Sequence, residues 1–349
     1  MSQYDRQISN WLLCVCAAIF IMLIIGGATR LTHSGLSMVE WDPLMGWIPP
    51  VNDTEWNETF EKYQQSPEYQ KLNADMNVEG FKSIFMFEYV HRVWGRLIGM
   101  VFLLPMLFFL FAGRVKRSLR PKLMMMFIFG GLQGVMGWYM VKSGLADNPY
   151  VSQYRLTAHL LLAFLVYGYI FWIAMSLRYP HVCQQNKTYS LLKKLTLCLS
   201  AWIVLTIASG GFVAGLKAGF AFNTFPLMDG SFVPDHYWLL EPWYLNFFDA
   251  IASVQFDHRI LAESTLIFVI ALFVFSKRHQ LSRRAEKAFH ALMGMAVLQV
   301  ILGISTLVMA VPVVLGVAHQ AGAMILFSFA LFVGHALRYG ESEESAVSS

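Results

Sequence analysis

Charge is what this sequence has least of. Lys, Arg, Asp and Glu together supply 14% of its 349 residues, against 56% apolar ones. That balance excludes an ordinary water-soluble domain and describes an integral membrane protein. Cysteine is almost absent, at four positions, and none lies in a connection assigned below to the outer side. Cys14 and Cys16 fall in the first apolar run, Cys183 in a cytoplasmic connection and Cys198 in the fifth run, so these thiols are expected to pack as small apolar groups rather than form a disulfide. The first run also lacks the short apolar core and small-residue cleavage site of a signal peptide, and no transit peptide precedes it. It is expected to be retained, in a bacterial inner membrane.

What is present is a series of apolar runs, each long enough to cross about 30 Å of hydrocarbon with about 20 residues. They cover roughly 11–31, 88–112, 122–141, 155–177, 193–214, 252–275, 287–310 and 313–337. Basic residues gather in three of the connections: Arg114 to Lys122, Arg178 to Lys194, and Lys277 to Lys287. These connections are expected to be cytoplasmic, which puts both termini in the cytoplasm and the long segments 32–87 and 215–251 outside. The net charge of +4 is thus a topology signal and gives no basis for nucleic-acid binding. Within the first outer segment, Thr54 to Leu72 has helical spacing of Trp56, Phe60, Tyr63 and Tyr69. It reads either as an amphipathic helix on the membrane surface or as a solvated loop with local helix.

The second half of the chain repeats the first. Gly26-Gly27 aligns with Gly210-Gly211, and Gly35 with Gly219; both segments run on to Pro-Leu-Met at 43–45 and 226–228. His91-Arg92 aligns with His258-Arg259, Leu132-Gln133 and Gly137 with Leu298-Gln299 and Gly303, and Ala158-His159 with Ala318-His319. The expected fold class is therefore an all-α integral membrane protein of eight transmembrane helices, arranged as two tandem, pseudo-symmetric four-helix bundles. The N-terminal bundle would span 1–177 with its outer loop 32–87, a cytoplasmic linker 178–192, the C-terminal bundle 193–338 and a polar tail 339–349.

Four histidines stand out against the apolar background: His91, His159, His258 and His319, each placed in the first turns of an apolar run. A histidine is costly in hydrocarbon unless it has a partner or lines a site, so four at one expected depth ask for a common cause. Imidazole is a strong axial ligand for haem iron, and a bundle core supplies two such ligands from facing helices. The pairs would be His91 with His159 and His258 with His319. Gly95, Ala163, Ala262 and Ala323 follow the four histidines at i+4, on the same helical face, where a flat macrocycle would lie; Gly99 extends the notch in the first pair. A compact zinc or copper site fits less well, since neither pair has enough cysteines or carboxylates nearby. His33, His181, His236, His279, His290 and His335 do not share the pattern.

Arg92 and Arg259 each follow the first histidine of a pair, where a guanidinium can neutralise haem propionates or snorkel to lipid headgroups. The halves differ three residues before those histidines, where Glu88 stands opposite Gln255. Glu88 is suited either to passing protons beside the iron or to pairing with Arg92 at i+4. The difference suggests one working site and one electron-handling site.

The segments Glu88-Tyr-Val-His91-Arg92-Val-Trp94-Gly95-Arg96, Thr-Ala-His159, Val-Ala-His319, Asp257-His258-Arg259 and Gly26-Gly27-Ala-Thr-Arg30-Leu-Thr-His-Ser-Gly35 resemble the haem A synthase family over nearly the whole chain. The resemblance implies oxidation of the haem O methyl group to a formyl group by successive hydroxylations, giving haem A for haem-copper oxidases. It further implies substrate haem between His91 and His159 with Glu88 nearby, and a haem b between His258 and His319. A haem O synthase (protohaem farnesyltransferase) would supply the substrate, and a haem-copper oxidase or its assembly factors would take the product. The electron donor, the oxygen source and the oligomeric state, a homo-oligomer included, are open. Some members carry a cysteine pair in the outer loops; this chain has none, so no disulfide-dependent step carries over, and the lack fits the Gram-negative and mitochondrial branch. Two other readings fit two histidine pairs: a dihaem b-type electron-transfer protein and a haem carrier.

Overall fold

The computed structural model describes residues 2–40, 46–145, 149–182 and 187–340. Cys183, the Pro-Leu-Met repeat at 43–45, the centre of the expected linker and the polar tail beyond residue 340 lie outside the described residues. Eight helices are long and apolar enough to cross a membrane: α1 (Gln3–Leu31), α4 (Val78–Phe111), α5 (Arg120–Gly144), α6 (Gln153–Arg178), α7 (Lys187–Gly215), α9 (Ile251–Lys277), α10 (Arg283–Val308) and α11 (Val313–Arg338). Between them lie α2 (Asp53–Gln64), α3 (Pro67–Leu72) and the single turn α8 (Asn246–Asp249). The only strands among the described residues are β1 (His181–Val182) and β2 (Tyr339–Gly340), whose antiparallel pairing ties the middle of the chain to the end of α11.

Local chemistry sets where the helices begin. The side chains of Ser2, Asn77 and Ser282 cap α1, α4 and α10 by accepting from the backbone N–H groups of Asp5, Gly80 and Ala285. In hydrocarbon every remaining backbone group must be satisfied within the segment, which makes the helix the stable form of each apolar run. Helix neighbours form two closed circuits: α1, α4, α5 and α6 in one, α7, α9, α10 and α11 in the other. The circuits meet where α6 packs on α7 and α11, and α1 on α11. Their shared core is apolar, with Leu12, Phe164, Ala174, Leu199, Met324 and Ala330 all buried. Gly168 brings α6 close to α11, since a Cβ there would stand 3.0 Å from the Phe327 ring. The least buried of the eight spans is α5.

The structure lengthens the second expected span through contacts with the loop before it. The fourth helix begins at Val78, ten residues before the apolar run, because the added stretch has partners: Phe81 and Phe85 are buried against Phe60 and Tyr63 of α2. The segment Thr54 to Leu72 is helical, as its spacing suggests, but broken in two at Ser66, which caps α3. Its apolar face is spent on the extension of α4. This cap holds Glu68, almost fully buried, which accepts from the Tyr63 hydroxyl at 3.1 Å while Asn73 donates to that same hydroxyl at 2.8 Å.

Burial raises the Glu68 carboxyl to about 7; the Tyr63 hydrogen bond and Lys217 oppose the rise and Glu88 adds to it. A carboxyl raised in the closed cap releases its proton more readily when the cap opens, so closure is favoured at low pH and weakens as pH rises towards about 7. Hydrogen exchange of the α2 and α3 amides, corrected for intrinsic rates, is expected to be faster at pH 8 than at pH 5. Glu68→Gln is expected to remove that difference; an undiminished pH response in the variant would refute the assignment.

Candidate functional site

His159, His258 and His319 stand in the second turns of α6, α9 and α11, as the sequence suggests. His91 does not begin its helix: α4 runs from residue 78 to residue 91 before reaching it, because the cap has drawn the helix outward. Each imidazole nevertheless meets its neighbouring helix in the same way, against a glycine. A Cβ added at Gly26 would lie 3.2 Å from His91 Nε2, and one at Gly137 3.2 Å from His159 Cε1. In the second half the same contacts are Gly210 with His258 at 3.1 Å and Gly303 with His319 at 2.9 Å. Any side chain at these four positions would press on the ring.

Further groups orient the rings. Ser209 Oγ lies 2.8 Å from His258 Nδ1, engaging the nitrogen opposite Nε2. Gln133 donates to the His159 carbonyl at 3.1 Å, and Gln299 to the His319 carbonyl at 2.9 Å; the Gln299 amide also lies 3.2 Å from His319 Nδ1. The rings of His258 and His319 face each other at 6.5 Å between centroids, nearly perpendicular at 85°. His91 and His159 lie close enough to interact electrostatically. Among the described residues no three His, Cys, Asp or Glu side chains gather as a metal-holding group.

A haem fits the second pair. Two imidazoles each bonded at about 2 Å to one metal put their ring centres roughly 6 Å apart, close to the observed spacing of the second pair. The buried polar atoms without a partner point the same way. His159 Nδ1, Gln133 Oε1, Gln299 Oε1 and Arg259 Nε are among the few in the described residues, and all four sit beside the histidine pairs. Ala163, Ala262 and Ala323 are half-buried, and a Cβ at Gly95 would meet Met22 at 3.4 Å. Beyond it, Gly99 faces open space.

The Glu88 and Gln255 positions turn out to do parallel work. Glu88, almost fully buried, accepts from Ser37 Oγ and Met38 N at 2.8 Å each and is ion-paired with Arg92. Arg92 also donates to the Met38 and Glu40 carbonyls at 2.7 and 2.8 Å. Gln255 donates to the Ala218 and Phe222 carbonyls at 2.8 and 3.2 Å and accepts from Arg259, which itself donates to the Phe222 and Thr224 carbonyls at 2.9 Å. Each pair fastens the outer connection to the histidine-bearing helix. A carboxylate only accepts, so its loop offers an N–H and a hydroxyl; an amide also donates, so its loop offers carbonyls. The connections even share a backbone oddity: His33 and Lys217, seven residues after Gly26 and Gly210, have φ of 54° and 55°. The matched glycines and glutamines stand in the sequence repeat, which signals their shared role. Ser209 has no such signal.

Eight helices long and apolar enough to span a membrane, with four histidines each set against a glycine of a neighbouring helix, define a polytopic membrane protein. A sequence model of the cytochrome oxidase assembly proteins matches residues 9–331, and the chain belongs to that family. It is 51% identical to the haem A synthase of Nitrosospira multiformis over 335 residues, covering 96% of this chain and 94% of the relative. The haem A synthase of Paramagnetospirillum magneticum is 50% identical, covering 95% of this chain and 94% of its own length. That of Arabidopsis thaliana is 43% identical, over 96% of this chain and 76% of the plant protein.

The glycine contacts give a direct test. Gly303→Val is expected to push His319 off its position and cut bound haem, read from the Soret band of the purified protein, by more than half. Gly294→Val on the same helix, where an added Cβ has no neighbour within 4 Å, should leave the band intact. Equal loss in both would mean that the His319 contact is irrelevant to haem.

Proposed function

We propose that this chain is a haem A synthase, oxidising the methyl group of haem O to the formyl group of haem A by successive hydroxylations. The observation that carries the reading is the identity of about half of all residues, across almost the full length, with proteins bearing that name. His91 and His159 would hold the substrate, and His258 and His319 a resident haem b. The iron of the resident group, when bound, supplies one-electron chemistry. The protein's part is to set the imidazole angles through Ser209, Gln133 and Gln299, keep the notch narrow through the four glycines, and hold the outer connections over both sites through the Glu88–Arg92 and Gln255–Arg259 clamps. Arg92 and Arg259 stand where propionates would reach the polar edge. Gly95, Ala163, Ala262 and Ala323 would leave the face of each ring uncovered.

The same reading organises the chain as an N-terminal bundle over 1–177, a linker over 178–192, a C-terminal bundle over 193–338 and a polar tail. The two closed circuits of helices and the matched contacts at Gly26 and Gly210, and at Gly137 and Gly303, support it. The distribution of Lys and Arg supports placement in a bacterial inner membrane with cytoplasmic termini and both haem sites towards the periplasm. A haem O synthase upstream and a haem-copper oxidase or its assembly factors downstream follow from the reaction. The dihaem electron-transfer reading gains from one observation: Glu88 and Gln255 both serve as loop clamps, so their difference alone does not make the halves unequal.

The deciding experiment is expression with a haem O-producing enzyme, followed by chromatography and mass analysis of extracted haems. Hydroxylated haem O or haem A is expected, and unchanged haem O alongside intact haem b would leave an electron carrier or haem carrier in its place. His258→Ala is expected to deplete the stable haem b. Glu88→Gln, whose amide oxygen can still accept from Met38 N, is expected to keep haem b in the second half while lowering turnover about a hundredfold if the carboxyl moves a proton. Full turnover in that variant would restrict Glu88 to its structural role. Glu88→Ala leaves Arg92 buried without its charge partner and is expected to cost about 3–5 kcal/mol of stability, measured by denaturation in detergent.

A further inference from the structure

A cavity of about 360 Å³ lies between α4 and the end of α5, lined by Met38, Val39, Arg92, Trp138, Val141, Lys142 and Leu145. Two of its lining residues are sequence neighbours of the first site: Arg92 follows His91 on α4, and Trp138 follows Gly137, against which His159 packs. From there it rises along the last turn of α5. Its walls are apolar apart from two cations facing it from different helices, Arg92 from α4 and Lys142 from α5.

These cations are not equivalent. The Arg92 charge is balanced at close range by Glu88, and its N–H groups are directed to loop carbonyls. Lys142 is exposed, its ammonium 5.1 Å from the centre of the Trp138 ring on its own helix. The second half is built differently. Gln255 is neutral, the carboxylates of Glu263 and Asp229 act on Arg259 instead, and the position matching Lys142, five residues after the histidine-facing glycine, is Val308. The cation at Lys142 therefore has no counterpart in the second half.

We propose that Lys142 is a positioning residue of the first site, pairing with a propionate carboxylate of the bound porphyrin at its outer edge. This rests on the reading of the first half as the substrate site. An anionic group entering the cavity meets one ammonium that no carboxylate of the lining opposes, at the end of a helix whose free carbonyls already favour a cation. Lys142 thereby sets the rotation of the macrocycle about the His91–His159 axis, which decides which ring substituent stands over the reacting position.

The test uses the full-length protein in detergent with its resident haem in place, titrated with haem O and, separately, with haem O whose propionates are methyl esters. Binding is read from the Soret difference spectrum, and KM and kcat from haem extraction. Wild-type protein is expected to prefer the free acid by about tenfold, the scale of a charge-assisted hydrogen bond at a partly exposed site. Lys142→Gln is expected to bind acid and ester alike, with KM for the acid raised about tenfold and kcat lowered because the ring is no longer held in one rotation; Lys142→Arg should restore the preference and the rate. A Lys142→Gln protein that still prefers the acid, or that loses both ligands equally, would overturn the role of Lys142 while leaving the site assignment standing. Wild-type protein giving no Soret change with either compound would remove the substrate site itself and this proposal with it.

Discussion

The structure depends on how an imidazole is accommodated between two helices that would otherwise close on each other. A side chain of that size and polarity is tolerated in hydrocarbon only where it has both room and partners. Room comes from a glycine on the neighbouring helix, and for His159, His258 and His319 a glutamine or serine holds the ring or its backbone. Because the ring fills the gap left by the glycine, the helix pairs α1 and α4, α5 and α6, α7 and α9, and α10 and α11 are each spaced by a histidine. The histidines are therefore part of the packing.

A second lesson concerns reading chemistry from a single substitution. Glu88 opposite Gln255 looks like a reactive carboxyl gained by one half, yet both side chains fasten a loop and both are served by an arginine one turn on. What changes is the charge left over. A carboxylate cancels its arginine and an amide does not, so the two loop clamps differ in charge even though their skeletons agree.

Much was legible in the sequence, and the reasons are physical. Apolar length alone marks eight spans, since a helix is the form that satisfies its own backbone in lipid. The histidines announce themselves because polar residues are rare there. The start of α4 was not legible: Val78 to Phe87 carries an amphipathic pattern whose partner, α2, is supplied by a distant loop, and a hydropathy window sees only the apolar run that follows. The break at Ser66 and the φ of His33 and Lys217 depend likewise on tertiary contacts. The four glycines stood in the repeat, but a repeated glycine in a membrane helix has many explanations until the ring beside it is seen.

The lengthened α4 has a mechanical consequence. Its first turns are gripped by α2 through Phe81 and Phe85, and about 9–15 Å further along the same helix stands His91. A straight helix transmits torque, so a swivel of the cap about the α4 axis turns the His91 imidazole through the same angle. His91 thus shares its helix with a second folded element, the α2 cap, so the setting of its ring is coupled to the packing of that cap.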